Sequence, residues 1–128
     1  MPLLVPISVG ELLDKISILE IKAAEITDPA KRVNIMRELA ALDAVRGREV
    51  ARLPELEALH SELHAVNRSL WQIEDSLRAH ERAGQFDDRF IELARSVYRE
   101  NDQRAALKRC INQLTGSEIV EEKSYPLI

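Results

Sequence analysis

Hydrophobic residues recur along the chain at alternating spacings of three and four, which is the period of an amphipathic α-helix. Four such segments predict helices over residues of about 9–26, 29–51, 55–83 and 88–115. The third segment has the cleanest pattern, because its apolar seam from position 56 to position 77 keeps the alternation for three heptads. Residues 116–128 are too short and broken for another long helix, so we expect a C-terminal tail that docks on the helices.

The predicted helix ends carry residues that favour them. Ser8 precedes the first helix as an N-cap, and Glu11 three residues later completes a capping-box pattern. Pro29 follows Asp28 at the start of the second helix, where the missing N–H costs nothing. Gly84 and Gly116 close the third and fourth helices. The short first turn makes helices one and two antiparallel neighbours.

The composition supports an all-α fold in one domain of 128 residues, since the chain has four Gly, five Pro and only 4% aromatic residues. The third helix should be about 43 Å long. A compact chain of this size has a diameter of roughly 36 Å. We therefore predict elongated antiparallel helical hairpins or a four-helix bundle, and a homodimer that buries the excess apolar surface.

Charge and cysteine content exclude several classes of protein. The 18 Lys and Arg residues against 22 Asp and Glu residues give a net charge of −4, which lacks the basic footprint of a nucleic-acid binder. Cys110 has no second cysteine to pair with, and we interpret it as a small core residue of the fourth helix. Without a signal sequence or an apolar membrane span, the expected location is the cytoplasm, away from membranes.

A metal site is not expected, and neither is a cofactor. His60 and His64 have the four-residue spacing of metal ligands, but the intervening sequence does not follow the H-E-x-x-H pattern. A tight zinc site needs at least three protein ligands, and no third His or Cys is near in sequence. We interpret both histidines as half-exposed residues beside the apolar seam.

A polar stripe continues from these histidines along the third helix through Trp71, Glu74 and Arg78. In one interpretation, Trp71 packs on a neighbouring helix and Glu74 forms an ordinary ion pair with Arg78. In the other, the stripe is one wall of a polar pocket between helices.

The fourth helix has charged residues at Glu100 and Arg104, where its seam should be apolar. Such an interruption is typical of a polar layer, an exposed turn or a binding site. Glu92, Arg95 and Asp102 share one face with alternating charges, which is typical of a solvated surface. In the first helix, Glu11 and Lys15 should pair, and Asp14 could face inward.

Four stretches together resemble an uncharacterised family of small bacterial helical proteins, a domain of unknown function. They are S-V-G-E-L-L-D-K-I-S-I-L-E-I-K at 8–22, L-W-Q-I-E-D at 70–75, F-D-D-R-F-I-E-L-A-R-S-V-Y-R-E-N-D at 86–102 and G-S-E-I-V-E-E-K-S-Y at 116–125. The resemblance implies a soluble helical protein and no particular activity. Its polar residues indicate a shared network or ligand surface, onto which the tail motif E-E-K-S-Y could fold. With Arg78 added, the candidate residues are Glu11, Asp14, Lys15, Trp71, Glu74, Asp75, Arg78, Glu92, Arg95, Tyr98, Asn101, Asp102, Glu122, Lys123 and Tyr125.

Two functions fit the sequence. The first is a non-catalytic helical module for dimerisation and interaction with a protein partner, which the heptad seams and the lack of catalytic motifs favour. The second is an enzyme or small-ligand binder with a polar pocket between helices one, three and four. In that pocket Lys15, Arg95 or Arg78 would bind an anionic group, Glu74 or Asp102 would transfer protons, and Trp71 would support an apolar moiety. Convergence of these residues in one cavity would favour the second function.

Overall fold

The computed structural model describes residues 1–126, which contain four α-helices and no β-strand. The helices are α1 (Val9–Glu25), α2 (Pro29–Glu49), α3 (Pro54–Ala83) and α4 (Asp88–Thr115). This confirms the predicted all-α bundle, with every helix end within two residues of its predicted position. Residues 127–128, the last two of the predicted tail, lie outside the described residues.

The helix ends form as their sequences predict, with one exception. The Ser8 hydroxyl accepts a hydrogen bond from the Glu11 backbone N–H at 3.0 Å. Gly84 and Gly116 adopt the left-handed conformation, with φ of 66° and 65°. The capping box is only half formed, because the Glu11 carboxylate contacts Lys108 Nζ at 2.6 Å instead of returning to Ser8.

The helix α1 is the centre of the bundle, because it packs against each of the other three helices. The long helices α3 and α4 pair with each other along a hairpin, and α2 covers the remaining side of α1. Apolar residues of α1, α3 and α4 make one core cluster. Its buried members are Leu12, Leu13, Ile16, Leu56, Leu63, Val66, Leu107 and Ile111.

The α3–α4 hairpin extends beyond the rest of the bundle. With 30 residues, α3 is about 45 Å long, and its buried residues all lie between positions 56 and 67. The chain exposes 8760 Å² of surface. A compact monomer of this mass exposes about 6,900 Å². The predicted elongated shape therefore agrees with the structure. No helix in residues 1–126 is both long enough and apolar enough to cross a membrane.

Two residues differ from their predicted environments. Cys110 is exposed rather than part of the core, because α1 approaches α4 along Lys108 and Asn112 and leaves Cys110 on an outer face. His60 is buried instead of half-exposed, since α1 covers this part of α3 and brings Glu20 beside the imidazole ring.

Candidate functional site

A cavity of about 900 Å³ lies between α4 and the C-terminal tail. Part of its wall is apolar, and we call this part the apolar lining. It consists of Val97, Tyr98, Ala105, Ala106, Tyr125 and Pro126. The rest of the wall consists of polar and charged side chains of α4 and of the tail.

A buried ion cluster lies behind this cavity, with Asp14 at its centre. The Asp14 side chain is completely buried. Arg104, which lines the cavity, donates from Nε to Asp14 Oδ1 at 2.9 Å and from Nη2 to Oδ2. Asn67 Nδ2 donates to the same Oδ1 at 2.8 Å. Because an unpaired buried carboxylate costs on the order of several kcal/mol, these donors compensate the burial of Asp14.

The ion cluster also has a second cation. Lys108 Nζ lies 2.6 Å from Glu11 Oε2 and 3.8 Å from Asp14 Oδ2. Glu11 also pairs with Lys15 at 3.7 Å, which confirms the predicted pair within α1. Hydrogen bonds to Asp14 raise the pKa of Arg104 above its ordinary value.

The helices α1 and α4 approach each other closely at Gly10. Its backbone N–H donates to Asn112 Oδ1 at 2.7 Å. A Cβ added to Gly10 would lie 2.7 Å from the Lys108 carbonyl oxygen, so a larger residue would push the two helices apart. This contact aligns Glu11 and Asp14 of α1 with the basic residues of α4.

The tail forms the outer wall of the cavity, as expected for the motif E-E-K-S-Y. Glu121 Oε1 accepts hydrogen bonds from Ser8 Oγ at 2.7 Å and from Asn112 Nδ2 at 3.3 Å. Glu122 pairs with Arg109 at 2.6 Å. Lys123 pairs with Asp102 of α4 at 2.7 Å, and its Nζ lies 5.7 Å from the centre of the Tyr125 ring.

A second cavity, of about 440 Å³, lies beside Trp71 between α1, α3 and α4. Arg104 lines both cavities, because its side chain crosses from α4 to Asp14 of α1. Glu74 and Arg78 pair here at 3.6 Å, which confirms their predicted ion pair. Trp71, Glu74 and Arg78 line this cavity together with Ile18 of α1, as in the second arrangement predicted for the stripe, while the ion pair belongs to the first.

The structure thus divides the candidate residues among three places and an exposed surface. Six line the first cavity, namely Tyr98, Asn101, Asp102, Glu122, Lys123 and Tyr125. Glu11, Asp14 and Lys15 belong to the ion cluster. Trp71, Glu74, Asp75 and Arg78 line the second cavity.

The two remaining candidates, Glu92 and Arg95, lie on the predicted solvated face of α4. Glu92 pairs with Arg99 at 2.7 Å, and this hydrogen bond lowers the pKa of the Glu92 carboxyl. The candidates do not converge in a single pocket, because Arg104 fills the space between the two cavities.

Several residues of the site were not among the candidates. Arg104 could have been identified from the sequence, since it interrupts the apolar seam of α4. The sequence gives no such indication for Lys108, Arg109 and Asn112, because charged and amide residues are ordinary on a long exposed helix. Their importance depends on which helix and which tail residues lie opposite, and spacing within α4 cannot show that.

Another buried polar group, the imidazole of His60 in α3, lies beside Glu20 of α1. His60 Nε2 is 3.8 Å from Glu20 Oε1 and has no hydrogen-bond partner within residues 1–126. Burial and the nearby Arg46 lower the pKa of His60, while burial raises the pKa of Glu20. No group of three or more His, Cys, Asp or Glu side chains in this part of the chain is placed to hold a metal ion.

Together, these features define an all-α bundle with a tail-walled cavity backed by a buried ion cluster. The chain belongs to a family of unknown function (DUF6165), and the match covers residues 3–127. Comparisons with curated proteins and with solved structures found no match.

Proposed function

We propose that this chain is a protein-interaction module whose cavity between α4 and the tail receives an apolar segment of another polypeptide. The observation that carries the proposal is the pairing of the charged groups around the cavity. Arg104, Lys108, Arg109 and Lys123 are each paired with a carboxylate of the same chain. What the cavity offers to a ligand is therefore mainly its apolar lining.

The energetics of these pairs favour an apolar ligand over a charged one. Separating Arg104 from Asp14, or Lys108 from Glu11, is costly because both pairs lie in a partly buried cluster. The exposed pairs Arg109–Glu122 and Lys123–Asp102 cost less to separate, so they oppose a charged ligand less strongly. An apolar side chain leaves those pairs intact and gains about 25 cal/mol for each Å² of apolar surface removed from water. Tyr98 and Tyr125 suit such contacts, because tyrosine combines an apolar ring with a polar hydroxyl and is enriched at protein interfaces.

The cavity is held in shape before any partner arrives. The Asp14–Arg104 pair fixes α4 against α1, and Glu121 joins the tail to Ser8 and Asn112. A preformed cavity of this kind does not require the chain to fold on binding, which lowers the entropic cost of association.

The test is a binding measurement with capped, fluorescently labelled hexapeptides of Leu, Val and Pro, compared with peptides in which Asp replaces Leu. We expect fluorescence polarisation to report binding of the apolar peptides only. The variant Ala106→Glu places a charge in the apolar lining, and we expect it to weaken binding at least about tenfold, since burying a charge is costly.

The matched control is Ala94→Glu, at an exposed position of the same helix outside the cavity. It should leave binding unchanged. Equal binding of both peptide classes, or equal weakening by both substitutions, would contradict the proposal.

A second candidate function is the binding of a small organic molecule. Its support is the cavity volume of about 900 Å³, which lies in the usual range of roughly 300–1,000 Å³ for such sites. A thermal-shift screen against uncharged and charged metabolites separates the two functions. A melting temperature that rises with ligand concentration, together with no peptide binding, would favour the small molecule.

A further inference from the structure

The N-terminal arm, residues 1–7, exposes apolar side chains to an unusual degree. Leu3 is 92% exposed and Leu4 94% exposed, and Met1, Val5 and Ile7 are exposed as well. None of the seven side chains is charged. Contiguous apolar surface of this kind marks a site of interaction in soluble proteins.

We propose that the arm of one chain occupies the cavity of a second copy, so that two chains exchange their arms. This inference rests on the proposed function of the cavity as a receptor for an apolar segment. It adds the identity of one occupant, which is the arm itself.

The arm begins at one end of the cavity. Ser8, the residue that follows the arm, donates a hydrogen bond to Glu121 at 2.7 Å, and Glu121 lines the cavity. Gly10 donates to Asn112, which also lines it. Two copies that approach each other at this end would bring each arm to the cavity of the other copy.

The arm and the cavity also agree in length and in chemistry. Seven extended residues span about 23 Å. The part of α4 that lines the cavity, from Val97 to Asn112, spans about 23 Å along the helix axis. Pro2 and Pro6 have restricted φ angles, so the arm loses less conformational entropy on binding. They also lack an N–H, so the arm brings fewer backbone hydrogen-bond donors that need partners.

The backbone at the root of the arm favours a second copy over the same chain. Ser8 is extended, with φ of −73° and ψ of 160°, and Pro6 disfavours the α-helical conformation at Val5. The chain therefore runs away from α1 instead of reversing, and none of residues 1–7 lines its own cavity.

The surface area is sufficient for a dimer. The chain exposes 8760 Å², against about 6,900 Å² for a compact monomer of its mass. The difference exceeds the area of about 800 Å² that each partner buries in a standard interface. Reciprocal exchange uses the same two surfaces on both chains, so the assembly closes at two copies.

The first experiment measures the dimer dissociation constant by sedimentation equilibrium of the full chain. We expect the double substitution Leu3→Asp, Leu4→Asp to raise this constant at least about a hundredfold, because two leucines lose a buried environment. The control is Val33→Asp, Met36→Asp on α2, where Val33 is 56% and Met36 47% exposed. This control should remain dimeric. A wild-type chain that stays monomeric, or an arm variant that stays dimeric, would overturn the inference.

The second experiment locates the arm by disulfide cross-linking. In a Cys110→Ser background, one chain carries Leu4→Cys and another carries Ala105→Cys, and the mixture is oxidised. We expect cross-linked pairs on a non-reducing gel. A chain that carries both substitutions and cross-links within itself at high dilution would place the arm in its own cavity and contradict exchange.

A peptide control separates this inference from the proposed function. A labelled peptide of residues 1–7 is added to the Leu3→Asp, Leu4→Asp variant, whose own arm cannot compete. Binding of the peptide by this variant supports the inference when the wild-type chain is dimeric. Binding without a wild-type dimer overturns arm exchange and leaves the proposed function standing. If neither this peptide nor the apolar hexapeptides bind, both proposals are contradicted.

Discussion

At the scale of single residues, Asp14 connects three helices, because its fully buried carboxylate takes partners from two others. Arg104 of α4 and Asn67 of α3 supply them. A buried ion pair of this kind adds little net stability over apolar packing, but removing one member leaves a buried charge uncompensated. The pair therefore fixes the alignment of α1 with α4 more than it stabilises the fold.

Asp14→Ala should lower the free energy of unfolding by about 3–5 kcal/mol, because Arg104 loses its partner in a partly buried place. Urea denaturation measures this. The double substitution Asp14→Leu, Arg104→Met should recover most of the loss, since it removes both charges. Glu92→Ala breaks the exposed pair with Arg99 and serves as the control, with no measurable change expected. A small effect of Asp14→Ala would contradict the role given to the ion cluster.

His60 makes stability depend on pH. Burial lowers its pKa below the ordinary value of about 6.5. The unfolded chain then binds a proton more readily than the folded chain, so stability falls as the pH drops from about 6.5 through the lowered pKa, by up to about 1.4 kcal/mol per pH unit.

Denaturation at several pH values checks this dependence. His60→Leu should flatten it as the pH falls below about 6.5, the ordinary histidine pKa. Glu20, whose pKa is raised by burial, acts in the opposite direction at lower pH. The substitution Glu20→Gln separates that contribution, while Asp43, Arg46, Glu57 and His64 remain around the ring. An unchanged pH dependence in His60→Leu would contradict this assignment.

At the scale of helices and tail, the sequence predicts what is local. Helix ends follow from caps such as Ser8 and Gly84, whose effects act within a few residues. Contacts between elements could not be predicted, because residues 14 and 104 are 90 positions apart and helical periodicity does not identify the opposing helix. Cys110 shows the same limit, since its exposure depends on where α1 crosses α4.

The close approach of α1 and α4 gives a test at this scale. Gly10→Ala should destabilise the fold by about 1–3 kcal/mol, because its Cβ would meet the Lys108 carbonyl oxygen and separate the two helices. Gly47→Ala is the matched control, since nothing lies within 4 Å of its added Cβ in α2. That substitution should stabilise the chain by up to about 1 kcal/mol. Thermal denaturation compares the two, and equal effects would contradict the tight α1–α4 contact.

At the scale of the whole molecule, the long α3–α4 hairpin, the exposed arm and the tail-walled cavity together leave more surface exposed than a compact chain would. The polar residues that carry the family resemblance indicate either a shared network or a ligand surface. In the structure most of these charges pair within the chain, as in Arg109–Glu122 and Lys123–Asp102, which agrees with the network. Charged residues at a site need not bind a charged ligand when they bind each other.

The most direct test of the central claim is an NMR titration of the isotopically labelled Leu3→Asp, Leu4→Asp variant, whose arm does not compete for the cavity, with an apolar, capped hexapeptide of Leu, Val and Pro. Backbone signals of residues 97–109 and 121–126 should shift as the peptide is added, while those of the hairpin tip near Gly84 should stay in place. Shifts centred elsewhere, or none at saturating peptide, would contradict the assignment of this cavity as the binding site.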